Sequence, residues 1–227
     1  MSMRRLSLLA AASAFAVVAL AGSASAVVPV PTTAKVFVAH GIPGAVVDVC
    51  VDGKEVRSTF RYGQQFVLEA VPAGTHTIKV HPASRFRCGG AAIIRKTVTL
   101  TGGLNATLMA RIIGGKPGLQ VFVNDTAIAP ASKASITVRH TATAPTVDVW
   151  LNGGAAPAIT SLARGKSAGP VVVAPGVYSW WASAVGSWKP AIGPRVANLY
   201  AGRAYQIYAV GTNANNYRFI VISQPGT

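Results

Sequence analysis

The chain has 227 residues, with 21 Lys and Arg against 6 Asp and Glu for a net charge of +15, and 51% of it is apolar. That length suffices for one large domain or two smaller ones, each with its own core, and the apolar fraction excludes a disordered chain. The acids are Asp48, Asp52, Glu55, Glu69, Asp125 and Asp148, with none beyond residue 148, which leaves little material for two-carboxylate catalysis or an all-oxygen metal cage.

Residues 1–26 read as a secretory signal peptide. Arg4 and Arg5 form the positive start, 6–20 the apolar run, and Ala24-Ser25-Ala26 the small-residue cleavage site. The run is shorter than the roughly 20 residues of a spanning helix. The arginine pair fits either general or twin-arginine export. The mature chain is expected to start near Val27, in the cell envelope or outside the cell. Without Arg4 and Arg5 it keeps 19 positive groups against 6 negative ones, a net +13.

After a short arm at 27–33, the chain repeats itself. Ala34 to His40 matches Ala134 to His140, Val47-Asp48-Val49 matches Val147-Asp148-Val149, and Gly53 matches Gly153, all 100 residues apart. Val71 to Thr75 faces Val173 to Val177 at an offset of 102, and Gly103 faces Gly202 at 99. Such an ordered series is what duplication followed by loop insertions and deletions produces. Two domains follow, 34–125 and 134–227, joined by a linker at 126–133.

Within each copy the apolar period is two. In the first, strands are predicted over 35–38, 46–51, 66–71, 75–80, 97–100, 106–112 and 119–123. In the second they fall at 135–139, 146–151, 170–173, 177–184, 195–200, 204–210 and 218–222. About seven short β-branched strands per copy predict an all-β protein of two tandem antiparallel β-sandwich domains, immunoglobulin-like or prealbumin-like. Asp52-Gly53 and Asn152-Gly153 supply hairpin turns.

These residues carry a resemblance. The series His40, Val47-Asp48-Val49, Gly53 and Pro72-Ala73-Gly74-Thr75 resembles the bacterial domain of unknown function 4397. The likeness spans nearly all of the first copy. It is fainter in the second, which has Asn152-Gly153-Gly154 at the turn and Pro175-Gly176-Val177 before the next strand. The resemblance implies an exported β-sandwich, usually repeated, and brings no reaction and no catalytic residues with it.

Cys50 and Cys88 are the only cysteines. In an exported protein such a pair reads as a disulfide. It would tie the glycine-rich loop around Cys88 to a strand and add about 3–4 kcal/mol by chain entropy. Two free thiols or a metal site are the alternatives, and the absence of Cys-x2-Cys spacing speaks against metal. No metal and no cofactor is expected. The second copy has Trp150 in place of Cys50.

His40 with Asp48, and His140 with Asp148, recur in both copies. They are read as structural polar pairs that satisfy backbone groups or each other, because an active site is needed only once. Gly165-Lys166-Ser167-Ala168-Gly169 matches a nucleophile elbow, but a strand and not a helix is predicted after it, and no acid follows to complete a triad. Asn105-Ala-Thr107 and Asn124-Asp-Thr126 are glycosylation sequons, relevant only in a eukaryotic secretory path. No catalytic residue is assigned.

All four tryptophans lie in the second copy. Trp180 alternates in step with Ala182, whereas Trp181 aligns with Lys79 and is expected on an outer face. Trp188 falls in a loop. Trp150, Trp181 and Trp188 form a candidate ligand platform for sugar rings, bases or cations; covering a second core or a domain contact is the alternative. Positive groups are spread from Arg57 to Arg218, among them Arg111, Arg139, Arg164 and Arg195. The densest stretch gives a candidate basic patch of Arg85, Arg87, Arg95 and Lys96. Such a charge attracts polyanions without sequence-specific nucleic-acid recognition. The expectation is a non-enzymatic, exported binding protein that contacts an acidic envelope polymer, a glycan or a lipid headgroup. A structural or protein–protein module is the alternative, and a secreted hydrolase stands behind both. The oligomeric state stays open.

Overall fold

A computed structural model describes residues 31–84, 87–127 and 131–226. The expected signal peptide at 1–26, most of the arm, Arg85 and part of the linker lie outside the described residues. The first half contains β1 (Thr33–His40), β2 (Val46–Val51), β3 (Lys54–Arg61), β4 (Gln65–Pro72), β5 (Gly74–Pro82), β6 (Ile94–Leu100), β7 (Asn105–Ile113) and β8 (Lys116–Val123). The second contains β9 (Ala134–His140), β10 (Val147–Leu151), β11 (Ile159–Leu162), β12 (Ser167–Val173), β13 (Gly176–Ala184), β14 (Pro190–Leu199), β15 (Arg203–Val210) and β16 (Arg218–Pro225). The fold is all-β. No helix among the described residues is long and apolar enough to cross a membrane.

The strands form four four-stranded sheets in two pairs. Orders β3-β2-β5-β6 and β4-β1-β7-β8 make the first sandwich. Orders β11-β10-β13-β14 and β12-β9-β15-β16 make the second and repeat the first strand for strand. Pairing is antiparallel except for β1 with β7 and β9 with β15, which run parallel. Parallel pairs are normally buried on both faces, and so are these: β9 and β15 are buried along almost their whole length.

The two-sided burial has a cause. One face of β1 supplies Val36 and Val38 to the first core, with Val49, Phe60, Ile78 and Leu108. Its other face supplies Phe37 and Ala39 to a third core, which also contains Met109, Phe122, Tyr208, Val210, Ile220 and Ile222. The inner sheets of the two sandwiches therefore pack face to face. The second sandwich keeps its own core of Ile136, Val149, Trp180, Ile192, Leu199 and Ile207. The sheets stack four deep, with the β2 and β10 sheets on the outside.

Polar groups cross the seam as well. Arg139 is 2% exposed. It donates to Asn124 Oδ1 at 2.6 Å, to the Val123 carbonyl at 2.6 Å and to the Tyr208 hydroxyl. Its guanidinium lies 4.9 Å from the Phe122 ring centre. Thr107 donates to Asn124, and Asn124 donates to Asn105. Asn105 in turn donates to Gln224 at 2.7 Å. The sequon asparagines thus serve the seam between the sandwiches.

Two strands fall where none was predicted. β3 sends only Phe60 fully inward, and β11 is four residues long. Both are edge strands, and each contains a residue at positive φ, Thr59 at 48° and Ser161 at 51°. The local irregularity erases the period-two signal.

Candidate functional site

The recurring Val-Asp-Val motif explains those bulges. Asp48 sits where the β2–β3 register shifts, and Asp148 where β10–β11 shifts. Asp48 accepts from the bulged Thr59 N–H at 2.9 Å and from Ser84 N–H at 3.1 Å. Asp148 accepts from Ser161 N–H at 2.8 Å and from Gly186 N–H at 2.9 Å. One carboxylate thus clamps both an edge bulge and the loop that follows the neighbouring strand. The histidines also serve backbone. His140 Nε2 lies 2.7 Å from the Pro145 carbonyl, and His40 Nδ1 accepts from Ile42 N–H at 3.3 Å. Burial holds both imidazoles below the ordinary histidine value, against the opposing pull of backbone carbonyls. These residues are framework, and none of them is arranged as an acid–base pair. His81, passed over in the sequence, is buried in register with Asp48.

On the outer face of the first sandwich, Cys50 and Cys88 form a disulfide with a Cα–Cα distance of 5.9 Å. It holds the loop after β5 over the sheet. Around it, Lys79 stands opposite Arg95, and Thr77 opposite Thr97. Strand alternation sends Arg95 and Lys96 to opposite faces, since Lys96 pairs with inward-facing Ile78. Arg87 approaches Glu55 at 3.4 Å. Of the basic residues picked from the sequence, Arg85 lies outside the described residues, and Arg95 and Lys96 do not share one surface.

The equivalent outer face of the second sandwich is built differently. Trp150 replaces Cys50 and Trp181 replaces Lys79, and the two are cross-strand partners. Their rings stack with centroids 5.9 Å apart and planes within 5°. Each indole N–H is anchored: Trp150 Nε1 donates to Ser183 Oγ at 2.9 Å, and Trp181 Nε1 donates to the Trp188 carbonyl at 3.0 Å. The loop between β13 and β14 is short. It is closed by Ser187 N–H on the Ala184 carbonyl and by the Asp148 clamp on Gly186. That loop carries Trp188, whose side chain is 75% exposed. Trp180, one residue from Trp181, points into the core and is fully buried.

The three rings line a groove of about 710 Å³ with Gly153, Gly154, Ser179 and Pro190. Small residues of the Asn152-Gly153 turn form its floor, and a Cβ on Gly153 would sit 3.8 Å from the Trp181 ring. Gly153 has φ of 65°, as the tight turn requires. Such a groove, apolar with few polar groups, has the general character of a small-ligand site. The Trp150 and Trp181 rings are held in place by their indole hydrogen bonds.

Other motifs are not assembled into chemistry. Ser167 begins the strand β12, so the Gly-x-Ser-x-Gly match is a turn followed by a strand. Among the described residues, no three His, Cys, Asp or Glu side chains gather as a metal site. Arg139 and Arg111, counted in the sequence as surface charge, are both buried. Arg111 donates to Gln120, which donates on to the Gly165 carbonyl of the second sandwich.

No curated protein matches the chain. Among solved structures, the TIE protein of Bacillus anthracis aligns at 11% identity with a TM-score of 0.25, over 80% of this chain and 34% of that one. The chain thus spans about a third of that protein, and so loose a likeness carries no argument. A family model does match, over residues 34–150, covering the first sandwich and the opening strands of the second. The chain belongs to the family described as domain of unknown function DUF4397.

Proposed function

We propose that this protein is an exported, non-enzymatic binding protein that holds a glycan of the cell envelope in the tryptophan groove of its second sandwich. The observation that carries the reading is the anchored, parallel Trp150–Trp181 pair beside the exposed Trp188. A sugar ring offers a flat C–H face and polar edges, which suits an aromatic face in a groove with few polar groups. Three indoles gathered along one groove make the kind of contiguous apolar surface that marks an interaction site. The disulfide fits an oxidising compartment, as does the signal-like sequence at 1–26.

Titration calorimetry with a neutral oligosaccharide, chitohexaose, tests the reading. Binding is expected for the full chain, with about tenfold loss in Trp188→Ala, the size of a lost stacking contact. No binding to chitohexaose or any other neutral oligosaccharide tried, or full affinity in Trp188→Ala, would overturn it. One observation favours a second reading, a protein-contact module. Val177 and Val196 are 68% and 63% exposed on the same outer face, where the first sandwich has Thr75 and Thr97. Light scattering that shows self-association insensitive to salt would support that reading.

A further inference from the structure

The groove does not end at its tryptophans. Pro194 forms part of its wall, and the same Pro194 lines a second cleft of about 520 Å³. That cleft runs over the junction of the two sandwiches. Gly63 comes from the turn between β3 and β4, Arg195 from β14, and Tyr217 and Arg218 from the start of β16. The aromatic groove and the arginine cleft share one residue as a common wall.

The arginines are placed with some care by the fold. The guanidinium of Arg218 lies over the Tyr62 ring, 4.4 Å from its centre. The Tyr62 hydroxyl donates to the Asn216 carbonyl, so the ring is held in place by the chain just before Arg218. Gly63 makes room for the same side chain: a Cβ there would stand 3.1 Å from Arg218 Nη1. On β14, Gly193 has φ of 89°, and a Cβ would meet Phe219 at 3.0 Å and the Trp180 carbonyl at 3.1 Å. The strand bends there because only glycine fits, which sets Pro194 at the rim. Arg195, in register with inward-facing Trp180 and alternating with outward-facing Val196, lies around the β14 edge from the tryptophans. Neither arginine has a carboxylate partner among the described residues, and no acid follows residue 148. Two guanidinium groups without a counter-charge, one of them stacked in place, form a ready receptor for a carboxylate or phosphate.

We propose that the glycan of the tryptophan groove carries an acidic group, a carboxylate or a phosphate, which Arg195 and Arg218 receive across Pro194. The inference rests on the glycan reading of the groove and specifies its ligand class. The aromatic rings hold a sugar ring, and the arginines select for the charge beside it. Holding Arg218 in advance reduces the ordering cost of that contact.

Matched ligand pairs test this on the full chain. One pair is hexagalacturonate and its neutral methyl ester, and the other is maltohexaose 6-phosphate and maltohexaose. Calorimetry is expected to show the acidic member of at least one pair binding about tenfold tighter, the scale of a charge-assisted hydrogen bond. The pair that shows the preference identifies carboxylate or phosphate. Arg195→Ala is expected to remove most of that preference and weaken its dependence on salt. Arg218→Lys, which keeps the charge but loses the planar fork, is expected to reduce the preference, and both leave the affinity for the neutral member unchanged. Lys116→Ala, an exposed charge on β8 outside both clefts, keeps the preference. If neutral members bind but neither pair shows a preference, this inference falls and the glycan reading stands. The inference falls likewise if Lys116→Ala erases the preference as fully as Arg195→Ala. If no member of either pair binds, this inference falls, and the glycan reading is decided by its own chitohexaose titration.

Discussion

Asp148 ties the framework to the groove, and its replacement by asparagine separates the two contributions. The side chain is 4% exposed and takes two backbone N–H groups, at 2.8 and 2.9 Å. Hydrogen bonds to a charged group contribute about 1.5–3 kcal/mol each. Asparagine keeps one acceptor without the charge and turns its amide N–H₂ toward the second donor. The expected loss is about 3 kcal/mol. For a chain of this size each kcal/mol moves Tm by about 2–4 °C, so the midpoint should fall by about 6–12 °C. Near-ultraviolet circular dichroism follows this directly, because the tryptophans report the packing of the second sandwich. The released donor is Gly186, in the loop that carries Trp188. Acrylamide should therefore quench the fluorescence of the Asp148→Asn protein more efficiently even well below its midpoint. Asp48→Asn should cost similar stability without this change, since all four tryptophans lie in the second sandwich. A midpoint for Asp148→Asn within about 2 °C of the parent would refute the assignment of the clamp.

Removing the disulfide with Cys50→Ser and Cys88→Ser together should cost about 3–4 kcal/mol; an unchanged midpoint, or no mass shift after reduction and alkylation of the native protein, would contradict it. Acidification should destabilise the fold. His40 and His140 have lowered pKa values in the folded state, so the unfolded chain binds more protons as pH falls below about 6.5, and stability drops by up to about 1.4 kcal/mol per pH unit for each. His76 works in the opposite sense: its hydrogen bond to Asp52 raises it, giving stability present below about pH 6.5 and lost as pH rises through its folded value. A flat midpoint between pH 7 and 5, or a His140→Gln protein with the parent's slope, would count against the histidine argument. Arg139→Met should cost about 3 kcal/mol by leaving the Val123 carbonyl and the Tyr208 hydroxyl short of a donor; calorimetry should then resolve two transitions where the parent shows one.

The period-two strands, the turns and the constant offset between copies were legible because they are local properties of the chain. Alignment of Trp181 with Lys79 even indicated its outer face. The edge strands β3 and β11 were not legible. Lys54–Arg61 has one deeply buried residue and a bulge, so its period never shows. The third core left a faint trace. Phe37 and Ala39 fill the gaps between Val36 and Val38, giving a continuous apolar run of the kind found in strands buried on both faces. Charge was the least legible property. Arg139 and Arg195 look alike in sequence, yet one is sealed in the seam and the other lines an open cleft. The difference depends on which sheets meet, and that is decided by pairing over long separations.

The four-deep stack constrains where novelty can arise in such a chain. Residues on the inner sheets answer to two neighbours at once, so a change there disturbs a sandwich core and the seam together. The outer sheets answer to one neighbour and leave their far side to water. Doubling the unit created two such unclaimed faces, at opposite ends of the molecule. One has been closed with a covalent staple, and the other has been fitted with indoles. In a chain of this design the outward positions of the end sheets are free to change, while the remainder of each sheet stays committed to holding the stack together.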